Sequence, residues 1–65
     1  MEAYNLRFKK KGERGYWHIS IYGETIEEAV RKVKKFIVSQ EYEIEKAYLE
    51  KIIYKTKKVW EWESE

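Results

Sequence analysis

The chain has 65 residues, of which 40% are charged and 43% hydrophobic, yet its formal net charge is only +2. It contains no cysteine, which excludes disulfide bonds and cysteine-based zinc sites. No apolar run approaches the roughly 20 residues of a membrane span, and the N-terminal residues lack the apolar stretch of a signal peptide. We therefore expect one cytoplasmic domain over residues 1–65, without a membrane partner and with a core built largely from aromatic side chains.

Lysine and glutamate dominate the charged residues, whereas the chain has one asparagine and one glutamine. This profile is typical of heat-stable proteins from organisms that grow at high temperature. It is equally typical of computationally designed domains, in which Lys and Glu fill the surface. Both origins stay open.

The first third of the chain predicts a β-hairpin. Residues 3–9 and 16–22 alternate apolar and polar side chains, which is the period of a half-buried strand. Between them lie Gly12 and Gly15, which can adopt the positive φ that a hairpin loop requires. The apolar face of the predicted hairpin consists of Tyr4, Leu6, Phe8, Trp17, Ile19 and Ile21.

One amphipathic helix follows Gly23. Thr25 is the predicted N-cap, and Glu28 is placed to return a hydrogen bond to the helix start in a capping box. We expect the helix to end near Ser39–Gln40 and to pack its apolar stripe on the hairpin. That stripe consists of Ile26, Ala29, Val30, Val33, Phe36 and Ile37.

Strand-forming residues dominate from Tyr42 onward, over a length that exceeds one ordinary strand. A turn is therefore required, and the two candidates are Lys55–Lys58 and Glu50-Lys51. We favour Lys55–Lys58, which gives a long third strand and a short fourth strand. The alternation changes face near Lys46–Ala47, and this change predicts a β-bulge there.

These elements predict an α+β fold: a single two-layer ββαββ domain with one helix packed on one face of a four-stranded, mainly antiparallel sheet of order 2-1-3-4. The alternative places the third strand beside the second, in parallel.

Catalytic and metal-binding patterns are missing from the sequence. Ser20 and His18 lie close together on one strand, but no carboxylate residue lies between them to complete a catalytic triad. Metal-ligand spacings, phosphate-binding glycine loops and nucleotide fingerprints are not present. We therefore expect a protein that is not an enzyme and that takes no cofactor, metal or small-molecule substrate.

Basic residues are the better candidates for a function. The predicted topology brings the hairpin loop and the second half of the helix to one end of the molecule, which we call the basic end. It consists of Lys9, Lys10, Lys11, Arg14, Lys34 and Lys35, balanced by an acidic tail of Glu61, Glu63 and Glu65. Such asymmetry is typical of a phosphate-binding surface. The alternative is that these lysines are ordinary solvated side chains.

The sheet face away from the helix, which we call the outer face, is the second candidate. On the hairpin it carries Asn5, Arg7, Lys9, Tyr16, His18, Ser20 and Tyr22. Tyr16, His18 and Tyr22 among cations suit the stacking of single-stranded bases. Alternatively, these side chains form stabilising cross-strand pairs or a homodimer interface. Trp60 and Trp62 share one face of the last strand, in the core or at a dimer seam.

Two short segments resemble a known family. Gly15-Tyr16-Trp17 and the stretch from Gly23 to Val30 resemble a strand and the helix start of HicB-like antitoxins, although the proline-containing segment between them is missing here. We take no function from this resemblance. The sequence favours a small non-catalytic binding protein with nucleic acid as its most concrete target. The alternatives are a protein-interaction or homodimerising module, or a designed scaffold without a ligand.

Overall fold

The computed structural model of the chain describes residues 1–53 and 55–64. Its elements follow the order ββαββ: β1 is Glu2–Lys10, β2 is Trp17–Gly23, α1 is Ile26–Ser39, β3 is Ile44–Ile52 and β4 is Thr56–Glu63. The strands form one sheet of order β2-β1-β3-β4, with antiparallel neighbours throughout. The predicted fold class and strand order are confirmed. Within the described ranges, no helix is long and apolar enough to cross a membrane.

The hairpin of β1 and β2 pairs Phe8 with Trp17 and Leu6 with Ile19. Its loop contains one residue of positive φ, Gly12 at 87°, and the Glu13 amide donates to the Lys10 carbonyl at 3.1 Å. A side chain at position 12 would strain this conformation, since L-residues seldom adopt it. The loop therefore depends on Gly12, as predicted, whereas Gly15, the second glycine predicted to supply a positive φ, does not adopt one.

The helix begins where the capping box predicts. Thr25 is extended, and its Oγ1 accepts a hydrogen bond from the Glu28 amide at 3.1 Å. The Glu28 carboxylate accepts in return from the amide of Glu24, at 3.4 Å, rather than from Thr25. At the other end, α1 stops at Ser39 because Gln40 is extended. Both predicted helix ends are confirmed.

The core lies between the helix and the face of the sheet that carries Tyr4, Leu6 and Phe8, which we call the inner face. Its buried members are Tyr4, Leu6, Phe8, Ala29, Val33, Ile44, Ala47 and Leu49. Trp60 and Trp62 lie opposite Leu49 and Ala47 on this same face and pack against the core while partly exposed. Of the two predicted positions, in the core or at a dimer seam, the structure places both tryptophans beside the core.

Two predicted core residues lie at the margin instead. Trp17 is 51% exposed and Ile26 is 38% exposed. Trp17 belongs to β2, which is an outermost strand of the sheet, so one side of its ring has no neighbouring strand to cover it. Ile26 opens the helix beside a surface groove.

The predicted turn at Lys55–Lys58 is wrong by a few residues. Thr56, Lys57 and Lys58 belong to β4 and pair with Ile52, Lys51 and Glu50. Polar side chains are tolerated there because β4 is an outermost strand exposed to water. A bulge does occur in β3, at Glu45, one residue before the predicted position, and a second shift leaves Val59 unpaired in β4.

Candidate functional site

Two lysines of the predicted basic end form ion pairs with glutamates around the start of β3. Lys9 Nζ lies 2.8 Å from Glu45 Oε2, and Lys11 Nζ lies 3.2 Å from Glu43 Oε2. The antiparallel β1–β3 ladder brings these residues together, and the Lys11 amide also donates to the Glu43 carbonyl at 2.9 Å. Neither glutamate was a predicted site residue.

The third lysine of this loop contacts aromatic rings. Lys10 Nζ lies 4.4 Å from the ring centroid of Trp17 and 4.0 Å from that of Tyr42. Such cation–π contacts hold an ammonium against aromatic faces. The Trp17 indole also donates to Glu13 Oε1 at 2.8 Å, which fixes the ring at the end of the hairpin. The charges of Lys9, Lys10 and Lys11 are therefore already engaged within the protein.

The ion pair between Lys9 and Glu45 shifts the pKa values of both groups. The hydrogen bond to Glu45 raises the pKa of Lys9 above its ordinary value. The same hydrogen bond lowers the pKa of the Glu45 carboxyl, since it favours the ionised form. Because both groups are close to solvent, the pair contributes little stability at physiological salt.

The remaining basic-end residues, Arg14, Lys34 and Lys35, are exposed. Lys34 lines a shallow groove of about 440 Å³ between the helix and β4, together with Ile26, Glu27, Val30, Arg31 and Trp60. In the part of the chain that the structure describes, no ion pair or hydrogen bond engages the side chains of Arg14, Lys34 or Lys35. Of the acidic tail, Glu61 pairs with Lys58 at 3.0 Å, and Glu65 lies outside the described residues.

The outer face carries cations whose charges are matched by glutamates of β3 and β4. Arg7 Nε lies 3.1 Å from Glu50 Oε1, and the same oxygen accepts from the Asn5 amide group at 3.2 Å. On β4, the hydrogen bond from Lys58 to Glu61 raises the pKa of the lysine. Sequence reasoning missed these partners because only the sheet register brings them beside the hairpin. The outer face is thus a network of ion pairs rather than a purely basic surface.

The three aromatic residues predicted to stack on bases differ in their surroundings. The ring of Tyr16 packs against Tyr48 of β3 in an edge-to-face contact with centroids 5.7 Å apart, and Lys58 Nζ lies 5.3 Å from the Tyr48 centroid. Tyr16 therefore reaches across β1 and belongs to the outer-face network. His18 and Tyr22 stay exposed on β2.

The β2 strand forms a long, uncharged outer edge of the sheet, which we call the open edge. Trp17–Gly23 contains no Lys, Arg, Asp, Glu or Pro and pairs with β1 along its whole length without a register shift. The opposite edge, β4, carries Lys57, Lys58, Glu61 and Glu63 and is interrupted at Val59. Charges and bulges are what protect an edge strand from pairing with another chain, so β4 is protected and β2 is not.

One contact identifies the backbone groups that face the open edge. The Tyr22 carbonyl accepts a hydrogen bond from Lys32 Nζ on the helix. Backbone groups in an antiparallel pair alternate between neighbours with period two, so His18 and Ser20 present their N–H and C=O groups to the same side. Lys32 therefore caps one end of the open edge, and no other hydrogen bond to its outward-facing backbone groups occurs among the described residues. The uncharged alternation of residues 16–22 was the sequence signal for this site.

The residues considered for catalysis remain isolated. Ser20 and His18 are exposed on the same face of β2, and neither forms a hydrogen bond or ion pair with a carboxylate within residues 1–53 and 55–64. That described part of the chain also contains no cluster of three or more metal-ligating side chains.

Comparison with protein-family models, with characterised proteins and with solved structures found no significant match. The resemblance of two short segments to HicB-like antitoxins is therefore not supported by a family match.

Proposed function

We propose that this protein is a non-catalytic protein-interaction module that binds an extended polypeptide segment along the open edge. The observation that carries the proposal is the contrast between the two sheet edges: β4 is charged and bulged, whereas Trp17–Gly23 is uncharged and regular. Strand addition of this kind obtains affinity from main-chain hydrogen bonds and specificity from alternate side chains.

The packing of β2 indicates the chemistry of the partner. Ile19 and Ile21 lie on the inner face opposite Leu6 and Tyr4, yet both stay only partly buried, whereas their partners are buried. No strand lies beside these isoleucines on the side away from β1, because β2 is an outermost strand of the sheet. A segment that places apolar side chains beside these isoleucines would extend the core, at about 25 cal/mol for each Å² of apolar surface that it covers.

A displayed peptide library tests this proposal, with binders selected on the wild-type protein. Ser20→Pro removes an N–H that faces the open edge and leaves the ladder to β1 in place, so the variant should fold and lose these binders. Ser20→Ala keeps the N–H and should bind as the wild type does. Melting curves establish whether each variant is folded. If Ser20→Pro does not fold, Ser20→Glu, which places a charge on the open edge, is used in its place. Binders unaffected by these substitutions would place the site elsewhere.

Nucleic-acid binding is the second candidate, and the exposed cations Arg14, Lys34 and Lys35 are the observation that favours it. The pairing of Arg7, Lys9, Lys11 and Lys58 with glutamates weighs against it, since phosphates would have to compete with these carboxylates. A titration with short single-stranded and duplex DNA and RNA at low salt tests it. Binding should weaken steeply as salt rises and should fall when Lys34 and Lys35 are replaced by Glu. No binding at low salt would exclude it.

A further inference from the structure

We infer that the segment bound along the open edge is β2 of a second copy of this chain, in an antiparallel pair centred on Ser20. This inference rests on the proposed function, because it names the partner of that same edge. It follows from the order of residues His18–Tyr22, which places an isoleucine and then a ring-bearing residue on each side of Ser20.

An antiparallel pair around a two-fold axis sets residue i opposite residue 40 − i when Ser20 lies on the axis. Ser20 then faces Ser20 of the second copy, Ile19 faces Ile21, His18 faces Tyr22, and Trp17 faces Gly23. The two isoleucine pairs lie on the inner face and extend both cores across the seam. Trp17 faces Gly23, which is itself covered by the start of the helix at Thr25 and Ala29.

The backbone groups fit the same register. His18, Ser20 and Tyr22 present their N–H and C=O groups to the open edge, as the Tyr22 carbonyl establishes. With Ser20 on the axis, these N–H and C=O groups lie opposite the same kind of groups on the second copy, so the two β2 strands form a continuous ladder of hydrogen bonds. No like charges face one another, since Trp17–Gly23 holds no acidic or basic residue other than His18, which faces a tyrosine.

The size of this interface predicts a weak dimer. A single pair of strands with flanking aromatic rings falls below about 1,200 Å², at the low end of specific interfaces. We therefore expect a dissociation constant of about 10–100 µM. Lys32 must also release the Tyr22 carbonyl before the end of the ladder can form. Lys32→Met keeps the aliphatic chain without the competing donor and should tighten the dimer several-fold.

Sedimentation velocity over a concentration series, combined with a charge exchange at position 20, tests the register. Ser20→Lys and Ser20→Glu each set like charges opposite one another only if Ser20 lies on the axis. Each variant alone should be monomeric where the wild type dimerises, and an equimolar mixture should dimerise again. Matched substitutions of Thr56, an exposed residue on the opposite edge, should leave the wild-type dimer unchanged.

Each result has a defined meaning, provided that circular dichroism establishes that the variants are folded. A wild-type protein that stays monomeric at about 1 mM, well above the expected dissociation constant, would overturn the self-pairing. The proposed function would survive that result if peptides still bind in a manner sensitive to Ser20→Pro. A dimer that tolerates either charge, or a mixture that does not recover, would overturn the register centred on Ser20. A dimer lost on substitution of Thr56 would move the interface to β4.

Discussion

Replacing Phe36 with alanine should remove a large part of the stability of this domain. Phe36 is half-buried on the helix and meets Phe8 edge-to-face, with ring centroids 5.1 Å apart. Fully buried Phe→Ala changes cost about 3–5 kcal/mol. Because one side of Phe36 is exposed, we expect about 2–3 kcal/mol, including the lost aromatic pair at about 0.5–1.5 kcal/mol.

Urea unfolding followed by tryptophan fluorescence measures this cost. For a domain of this length, a loss of 2–3 kcal/mol lowers Tm by about 10–20 °C. Total stabilities are about 5–15 kcal/mol and small domains lie low in that range, so a substantial fraction of the variant will be unfolded at moderate denaturant. The slope of the transition should stay unchanged, since the same surface is exposed on unfolding.

Val38 provides the matched control on the same helix. Its side chain is 83% exposed, so Val38→Ala should change the free energy of unfolding by no more than about 0.5 kcal/mol. If Phe36→Ala costs as little as Val38→Ala, the helix does not present this face to the sheet and the account of the core is wrong.

Three further predictions concern the cap, the hairpin loop and pH. Thr25→Ala should cost about 1 kcal/mol in urea unfolding, because it removes the acceptor that caps the first helical turn; no loss would argue against this cap. Gly12→Ala should destabilise by about 1 kcal/mol because φ is 87° there, whereas Gly15→Ala, with open space around it and no positive φ, should be neutral or slightly stabilising; equal effects would contradict the loop conformation. The contribution of Glu45, whose pKa is lowered by Lys9, is present above its ordinary value of 4.5 and lost as pH falls below it. The contribution of Lys9, whose pKa is raised, is present below 10.5 and lost as pH rises through its folded value. At low salt, where the pair is least screened, the difference in Tm between the wild type and Glu45→Gln should therefore be constant between these limits and narrow in acid; a low-salt difference independent of pH would contradict the pair.

Local patterns were sufficient to predict most of the fold. The hairpin follows from period-two alternation around two glycines, and the helix start follows from Thr25 and Glu28, whose hydrogen bonds are local. The turn after β3 was misplaced because Thr56, Lys57 and Lys58 are polar. Polarity distinguishes a turn from a strand only where the strand is covered, and β4 lies at the edge of the sheet.

The ion pairs of the candidate site were harder to predict from the sequence, because their partners lie far apart along the chain. Lys9 and Glu45 are 36 residues apart, and Arg7 and Glu50 are 43 apart. Composition alone therefore overstated how basic the loop and the outer face are. The open edge, by contrast, could have been recognised from the sequence, because the predicted strand order already placed β2 on the outside and its lack of charge is plain in the sequence.

Amide hydrogen exchange along β2, measured in dilute and in concentrated solution, tests the open edge most directly. The N–H groups of Ile19 and Ile21 bond to β1 and should be protected at every concentration. Those of His18, Ser20 and Tyr22 face outward and should exchange fast in dilute protein and become protected as the concentration rises. If these three amides stay unprotected at the highest concentration and with every selected peptide, the open edge is not a binding site and the proposed function is wrong.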